Sequence, residues 1–131
     1  MKNNKELANE WLKRAISSYE KAITASSNNS IYYEDLCFDL QQSIEKALKS
    51  LLIINNKNFP RTHSLAILID LLSEINIIIP EAENIVEEIS KYAVNTRYPG
   101  DYEPINEDDF QKAVELTKRL IQFVTMEINF Y

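Results

Sequence analysis

An all-α, up-and-down bundle of four to five helices is the fold class that the sequence predicts. Apolar residues recur about every 3.6 positions along nearly the whole chain, which is the period of an α-helix. The 131 residues include one glycine, too few for a series of tight β-turns, and no stretch keeps the alternating pattern of a strand. At about 150 residues per domain, residues 1–131 are expected to form a single domain.

The first two predicted helices are long and amphipathic. Helix one covers residues 4–25 and is followed by a Ser/Asn-rich loop. Helix two covers residues 31–55, with leucines and isoleucines along one side and Phe38 and Ile53 among polar residues on the other. A helix with apolar residues on two sides is typical of a position covered by neighbours, so we expect helix two at the centre of the bundle.

Three further helices complete the prediction. A shorter helix covers residues 64–75, and a fourth follows Pro80 over residues 81–96. Two prolines and the glycine then predict an irregular loop over residues 97–104. Helix five begins behind Asn106, a residue type that caps helix N-termini, and runs to the C-terminus. Its first turn is acidic, which suits the positive end of the helix dipole and explains these carboxylates without a metal ion.

Composition excludes several kinds of site. Cys37 is the single cysteine and His63 the single histidine, so neither an intrachain disulfide nor a Cys/His zinc site is possible. One glycine cannot build a phosphate-binding loop or a dinucleotide fingerprint, and we expect no cofactor and no metal. The apolar runs are far shorter than the roughly 18 residues of a membrane span, and the first residues lack a signal-peptide pattern. We therefore expect a cytoplasmic protein, and its net charge of −6 disfavours broad DNA binding.

Three ordered motifs carry a resemblance to a known family. Residues 37–52 read CFDLQQSIEKALKSLL, residues 60–65 read PRTHSL, and residues 97–100 read RYPG. Together they resemble the HEPN domain, in the subgroup with a QQ-x-x-EK-x-x-K helix, a P-x-T-H-x-L step and an R-Y-P loop. The resemblance implies a prokaryotic, often dimeric helical bundle that is commonly paired with a small nucleotidyltransferase, as in toxin–antitoxin systems. Some members of the family are metal-independent ribonucleases, and others bind nucleotides or partner proteins.

The chain departs from the ribonuclease motif of that family, which is Arg-x(4–6)-His. The positions five to seven residues before His63 hold two asparagines and a lysine, Arg61 lies only two residues before it, and Arg97 precedes no histidine. We therefore assign no catalytic residue, with His63 as the one weak candidate. A ribonuclease toxin becomes the disfavoured alternative.

The candidate ligand-binding residues are polar side chains within these motifs: Gln42, Glu45, Lys46, Lys49, His63, Arg97 and Tyr98. The four on helix two form either a solvated face or the wall of a groove in which the lysines meet a phosphate or an acidic partner. His63 either caps or packs against the start of helix three or contributes to a site. Arg97 and Tyr98 either complete the end of helix four or present a guanidinium to a phosphate and a ring to a base.

These observations favour a nucleotide- or partner-binding module that is not an enzyme. The expected partners are a second copy of the chain in a dimer, a small nucleotidyltransferase, and a nucleotide or RNA, with no membrane. A purely structural oligomerisation unit stays open as a third alternative. Such a unit would bury a large apolar surface between chains and would lack a polar pocket.

Overall fold

The computed structural model describes residues 3–92 and 103–131. Within these ranges lie five α-helices, one 3₁₀ helix and no strand, which confirms the predicted all-α bundle. The elements in chain order are α1 (Asn4–Ala25), α2 (Tyr33–Ile54), α3 (Leu65–Glu74), α4 (Ala82–Ile89), the 3₁₀ helix (Ser90–Tyr92) and α5 (Glu107–Asn129).

Side-chain caps begin three of the helices at the positions that local sequence favours. Asn106 accepts a hydrogen bond from the backbone N–H of Asp109 at 2.8 Å, and the Asp109 carboxylate accepts one from the backbone N–H of Asn106 at 3.3 Å. The same reciprocal capping box joins Asn3 and Glu6 before α1. Ser64 caps α3 by accepting from the backbone N–H of Ile67. The predicted capping role of Asn106 is therefore confirmed.

An asparagine lies just beyond the ends of α2 and α3, in a backbone position where glycine is more usual. Asn56 and Asn76 have φ angles of 54° and 65°, in the left-handed region that glycine adopts most readily. Beyond each of them, the next backbone N–H donates back into the helix, from Lys57 to Leu52 and from Ile77 to Leu72, both at 2.9 Å. This pattern is the Schellman motif, and it ends each helix one residue earlier than the periodicity predicted.

Further predicted limits need correction, and one of them is the end of helix five, which lies at Asn129 rather than at the C-terminus. Helix two begins at Tyr33 rather than at residue 31, because Ile31 donates into a turn at Asn28 and Tyr32 is extended. The α-helical part of helix four begins at Ala82, because Glu81 is left-handed with φ 56°, and it ends at Ile89, where the 3₁₀ helix follows. The rest of the predicted fourth helix and the RYPG segment lie outside the described residues.

Helix α2 lies at the centre of the bundle, as predicted. It contacts α1, α3, α4, α5 and the 3₁₀ helix, and 14 of its 22 residues are buried. Helix α1 runs antiparallel to it, since Lys21 pairs with Asp39 at 3.1 Å and Asn4 contacts Asn56 at 3.3 Å.

Helix α5 runs in the same direction as α2. Near the start of both helices, the rings of Tyr33 and Phe110 stack with centroids 5.2 Å apart. Near their ends, the Tyr131 hydroxyl donates to Asn55. Because α2 and α5 are parallel, the chain between them has to return along the bundle, and the short helices α3 and α4 lie in this return.

The core holds Cys37 as a fully buried thiol. Burial, together with the nearby carboxylates of Asp109 and Glu34, raises the pKa of this thiol to about 12. Burial also raises the pKa of Tyr92, whose side chain hydrogen-bonds to Cys37. The thiol therefore has the environment of an unreactive core residue rather than of a nucleophile. None of the helices described is both long and apolar enough to cross a membrane.

Candidate functional site

The predicted polar side of α2 consists of two parallel lines of residues. Glu45 and Lys49, one helical turn apart, are buried with 4% and 8% of their surface exposed. Gln42 and Lys46, also one turn apart, are half-buried. A residue that the prediction left out, Gln41, is fully buried one turn before Glu45 and continues the first line. Helix α1 and the loop after α2 cover this side, so it is not a solvated face.

The carboxylate of Glu45 is the centre of a buried network. One oxygen, Oε2, lies 3.0 Å from the ammonium of Lys49. The other oxygen, Oε1, lies 2.8 Å from Nδ1 of His63. The carboxylate is thus satisfied on both oxygens, as a buried charge requires.

Aromatic rings enclose the other end of the ion pair. The ammonium of Lys49 lies 5.8 Å from the ring centre of Trp11 on α1 and 5.9 Å from that of Phe59 in the loop after α2. Both distances are within cation–π range, and both rings are half-buried. The charge of Lys49 is therefore engaged inside the protein by one carboxylate and two rings.

The second line of the polar side joins α2 to its neighbours. Lys46 donates to the hydroxyl of Ser18 on α1 at 3.0 Å. Gln42 donates to the side-chain oxygen of Gln41 at 2.9 Å, and Gln41 donates to the backbone carbonyl of His63 at 3.3 Å. These bonds hold the backbone of His63 against α2.

The imidazole of His63 is the part of this network that reaches solvent. Its side chain is 76% exposed, whereas the Glu45 side chain that holds it is 5% exposed. The backbone around it is set by Thr62, which accepts from the N–H of Ser64 at 3.0 Å, and by the Ser64 cap of α3. Because an ionised carboxylate only accepts, the network assigns the hydrogen to Nδ1 and leaves Nε2 facing outward without a partner among the described residues.

The structure brings together part of the predicted set. Glu45, Lys49 and His63 converge in one network, while Gln42 and Lys46 make separate bonds beside it. Arg97 and Tyr98 lie outside the described residues, and their role stays a prediction.

Sequence reasoning missed the residues that complete the network: Gln41, Trp11, Ser18 and Phe59. The sequence contained a signal for Gln41 and another for Trp11 and Ser18. Gln41, Glu45 and Lys49 are four residues apart, which places them in one line on a helix. Trp11 and Ser18 are seven residues apart, so they share a face of α1. No local pattern indicated that Phe59 would reach the same place.

Three surface grooves lie away from this network. They are a groove of about 320 Å³ between α4 and α5, one of about 270 Å³ between α3 and α4, and one of about 480 Å³ along α1. None of these three is lined by a predicted site residue. In the part of the chain that the structure describes, no group of three or more His, Cys, Asp or Glu side chains is placed to hold a metal ion.

The HEPN domain family matches residues 8–128, and this range is nearly the whole chain. The chain belongs to the HEPN domain family. Among curated proteins, none matches the sequence significantly.

Two solved structures are similar to this chain over most of its length. One is ST0689, an archaeal HEPN homologue, which is 29% identical with a TM-score of 0.68, over 98% of this chain and 99% of that one. The other is TT1696 from Thermus thermophilus, which is 26% identical with a TM-score of 0.70, over 91% of this chain and 96% of that one. The match to ST0689 over nearly the full length of both chains shows that the bundle described above is the HEPN fold.

Proposed function

We propose that this HEPN protein is a nucleotide-binding module that serves as the companion subunit of a small nucleotidyltransferase. The observation that supports nucleotide binding is the exposed imidazole of His63, which the buried carboxylate of Glu45 holds in one orientation. A side chain fixed by a buried partner binds a ligand with little loss of conformational entropy, whereas a free surface histidine does not.

The free Nε2 suits both polar parts of a nucleotide. In the neutral imidazole it accepts a hydrogen bond, for example from a ribose hydroxyl. In the protonated imidazole it donates to a phosphate oxygen with the added strength of a charge. Arg61, exposed two residues before His63, supplies a second cation on the same loop. We extend the proposed site to Arg97 and Tyr98, as a phosphate contact and a stacking ring.

In this proposal the lysines of α2 stabilise the site rather than bind the nucleotide. Lys49 is held by Glu45 and two rings, and Lys46 by Ser18. Their contribution is to hold Glu45 and α1 in place, which positions His63. A phosphate that bound Lys49 directly would first have to compete with a buried carboxylate 3.0 Å away.

Isothermal titration of the full chain with ATP, GTP and other nucleotides tests the nucleotide half. Loss of one charge-assisted hydrogen bond weakens binding by about 10- to 100-fold, which is the effect expected for His63→Ala. Lys118→Ala, which removes an exposed cation on α5, is the matched control and should bind like the wild type. Absence of heat with every nucleotide at high protein concentration would remove this half of the proposal.

Co-expression tests the companion half. The protein should co-purify with a small nucleotidyltransferase encoded beside it, and light scattering should show a dimer when it is purified alone. A nucleotidyltransferase that remains unbound when both proteins are folded would end the companion proposal while leaving nucleotide binding intact.

A second candidate function is RNA cleavage, which one observation favours. The Glu45–His63 contact is the arrangement of an orienting carboxylate and a general base, with Nε2 left free to take a proton from a ribose hydroxyl. Incubation of purified protein with cellular RNA tests it, with His63→Ala and Glu45→Gln as variants. Cleavage that both variants lose would support a ribonuclease. Intact RNA, or cleavage that persists in His63→Ala, would exclude this histidine as the base.

A further inference from the structure

The groove between α3 and α4 has an apolar floor. It encloses about 270 Å³, and four of its lining residues are aliphatic: Ala66, Ile69, Ala82 and Val86. Ile69 is buried, and the other three are half-buried, so their side chains form a surface that is neither core nor open solvent. Each helix contributes two of these residues, and the floor follows the line where the helices meet.

The remaining lining residues are all acidic. Asp70, Glu83 and Glu87 stand around the apolar floor, and all three are exposed. None of them makes a hydrogen bond or an ion pair with another described residue. Glu83 and Glu87 are also one helical turn apart, where like charges repel and destabilise the helix.

The chain around the groove is rich in acidic residues, but only some of their carboxylates lack a cationic partner. Residues 64–90 contain six acidic residues and no lysine, arginine or histidine. The three that do not line the groove each have a cationic partner, in the pairs Glu74–Lys57 at 3.6 Å, Glu81–Arg119 at 2.7 Å and Glu88–Lys91 at 3.8 Å. The unpaired carboxylates of this region are therefore the three that surround the apolar floor.

We propose that the α3–α4 groove is a docking site for a basic amphipathic helix of a partner protein. The aliphatic floor would take the apolar face of that helix, and lysines or arginines flanking this face would pair with Asp70, Glu83 and Glu87. Charge complementarity selects this occupant, since an acidic or uncharged helix would leave three carboxylates unpaired at the edge of a desolvated surface. The groove shares no residue with the His63 network, so this proposal stands apart from the nucleotide site.

Fluorescence anisotropy with designed peptides tests the proposal on the full chain. The probe is a labelled amphipathic helix with leucines on one face and lysines flanking them. One control peptide has glutamates in place of the lysines, and the other has the same composition in scrambled order. The lysine helix should bind, binding should weaken as salt is raised, and neither control peptide should bind.

Two charge-reversal variants locate the binding surface. Glu87→Lys should weaken binding of the lysine helix by about tenfold or more, because it places a like charge at the rim. Glu20→Lys changes the net charge equally at an exposed position on α1 and should leave affinity unchanged. Equal weakening by both variants, or binding of the scrambled peptide, would show non-specific attraction and overturn the proposal. Ultracentrifugation completes the test: self-association that Glu87→Lys abolishes would make the occupant a second copy of this chain and also overturn it.

Discussion

Removing one charge from the buried Glu45–Lys49 pair should cost a large part of the stability of the protein. The two side chains are 5% and 11% exposed, and their charged atoms are 3.0 Å apart. At an effective dielectric constant of about 20, an attraction over this distance is about 5–6 kcal/mol. Lys49→Met keeps the length of the side chain but leaves a buried carboxylate with His63 as its one partner. Breaking a buried pair in this way typically costs about 3–5 kcal/mol.

Urea unfolding followed by circular dichroism measures this cost. For a domain of this size, a loss of about 3–5 kcal/mol corresponds to a fall in Tm of roughly 10–20 °C. Glu45→Gln leaves the ammonium of Lys49 between the two rings without its carboxylate and should cost a similar amount. The double variant removes both charges and should be at least as stable as either single variant, which corresponds to a coupling of about 3 kcal/mol or more.

An exposed ion pair provides the matched control. Arg14 and Glu10 are also four residues apart on a helix, but their side chains are 66% and 35% exposed. Arg14→Met should therefore cost no more than about 0.5 kcal/mol. If Lys49→Met and Glu45→Gln were as mild as Arg14→Met, the pair would be solvated, and the network that positions His63 would not exist as described.

Three further predictions concern local structure and pH. Asn106→Ala removes the cap of α5 and should lower the free energy of unfolding by about 1 kcal/mol, while Asn106→Asp should stay close to the wild type; chemical denaturation measures both. Asn76→Gly should leave the free energy of unfolding unchanged or raise it. Asn76→Ala should lower it by about 1 kcal/mol, because alanine is disfavoured at φ 65°. Equal effects of the two variants would contradict the left-handed conformation of Asn76. The pKa of Cys37 rises from 9.0 in a free thiol to about 12 in the fold, so its contribution to stability is complete below pH 9.0 and is lost as the pH rises toward 12. Stability should then fall more steeply with pH above 9.0 in the wild type than in Cys37→Ala, by up to about 1.4 kcal/mol per pH unit, and parallel urea midpoints would refute this.

The helix limits that could be predicted are those that depend on neighbouring residues. The limits of α1 were predicted correctly, because a 3.6-residue pattern and the residues beside it are local information. Asn106 was assigned as a cap for the same reason. The change from α-helix to 3₁₀ helix at Ser90 was not predicted, because it has no marker such as proline or glycine.

The candidate site was predicted in composition but not in arrangement. Glu45, Lys49 and His63 were selected from the motifs, but Glu45 and His63 are 18 positions apart in the chain, and no local pattern predicted their contact of 2.8 Å. The sequence also offered no basis for distinguishing Lys46 from Lys49. Lys49 lies in a buried pair beneath Trp11 and Phe59, whereas Lys46, three residues earlier, reaches Ser18 from a half-buried position.

The sequence by itself determined that this chain is a helical bundle with α2 at its centre, because helical period, capping residues and apolar faces act over one or two turns. It also determined which ionisable groups were available for a site. Only the tertiary structure decided which of them meet, because the folding of α1 and the loop after α2 onto one face removes Glu45 and Lys49 from water and leaves His63 exposed. Burial and partner choice depend on contacts between residues far apart in the chain, and no local pattern records them.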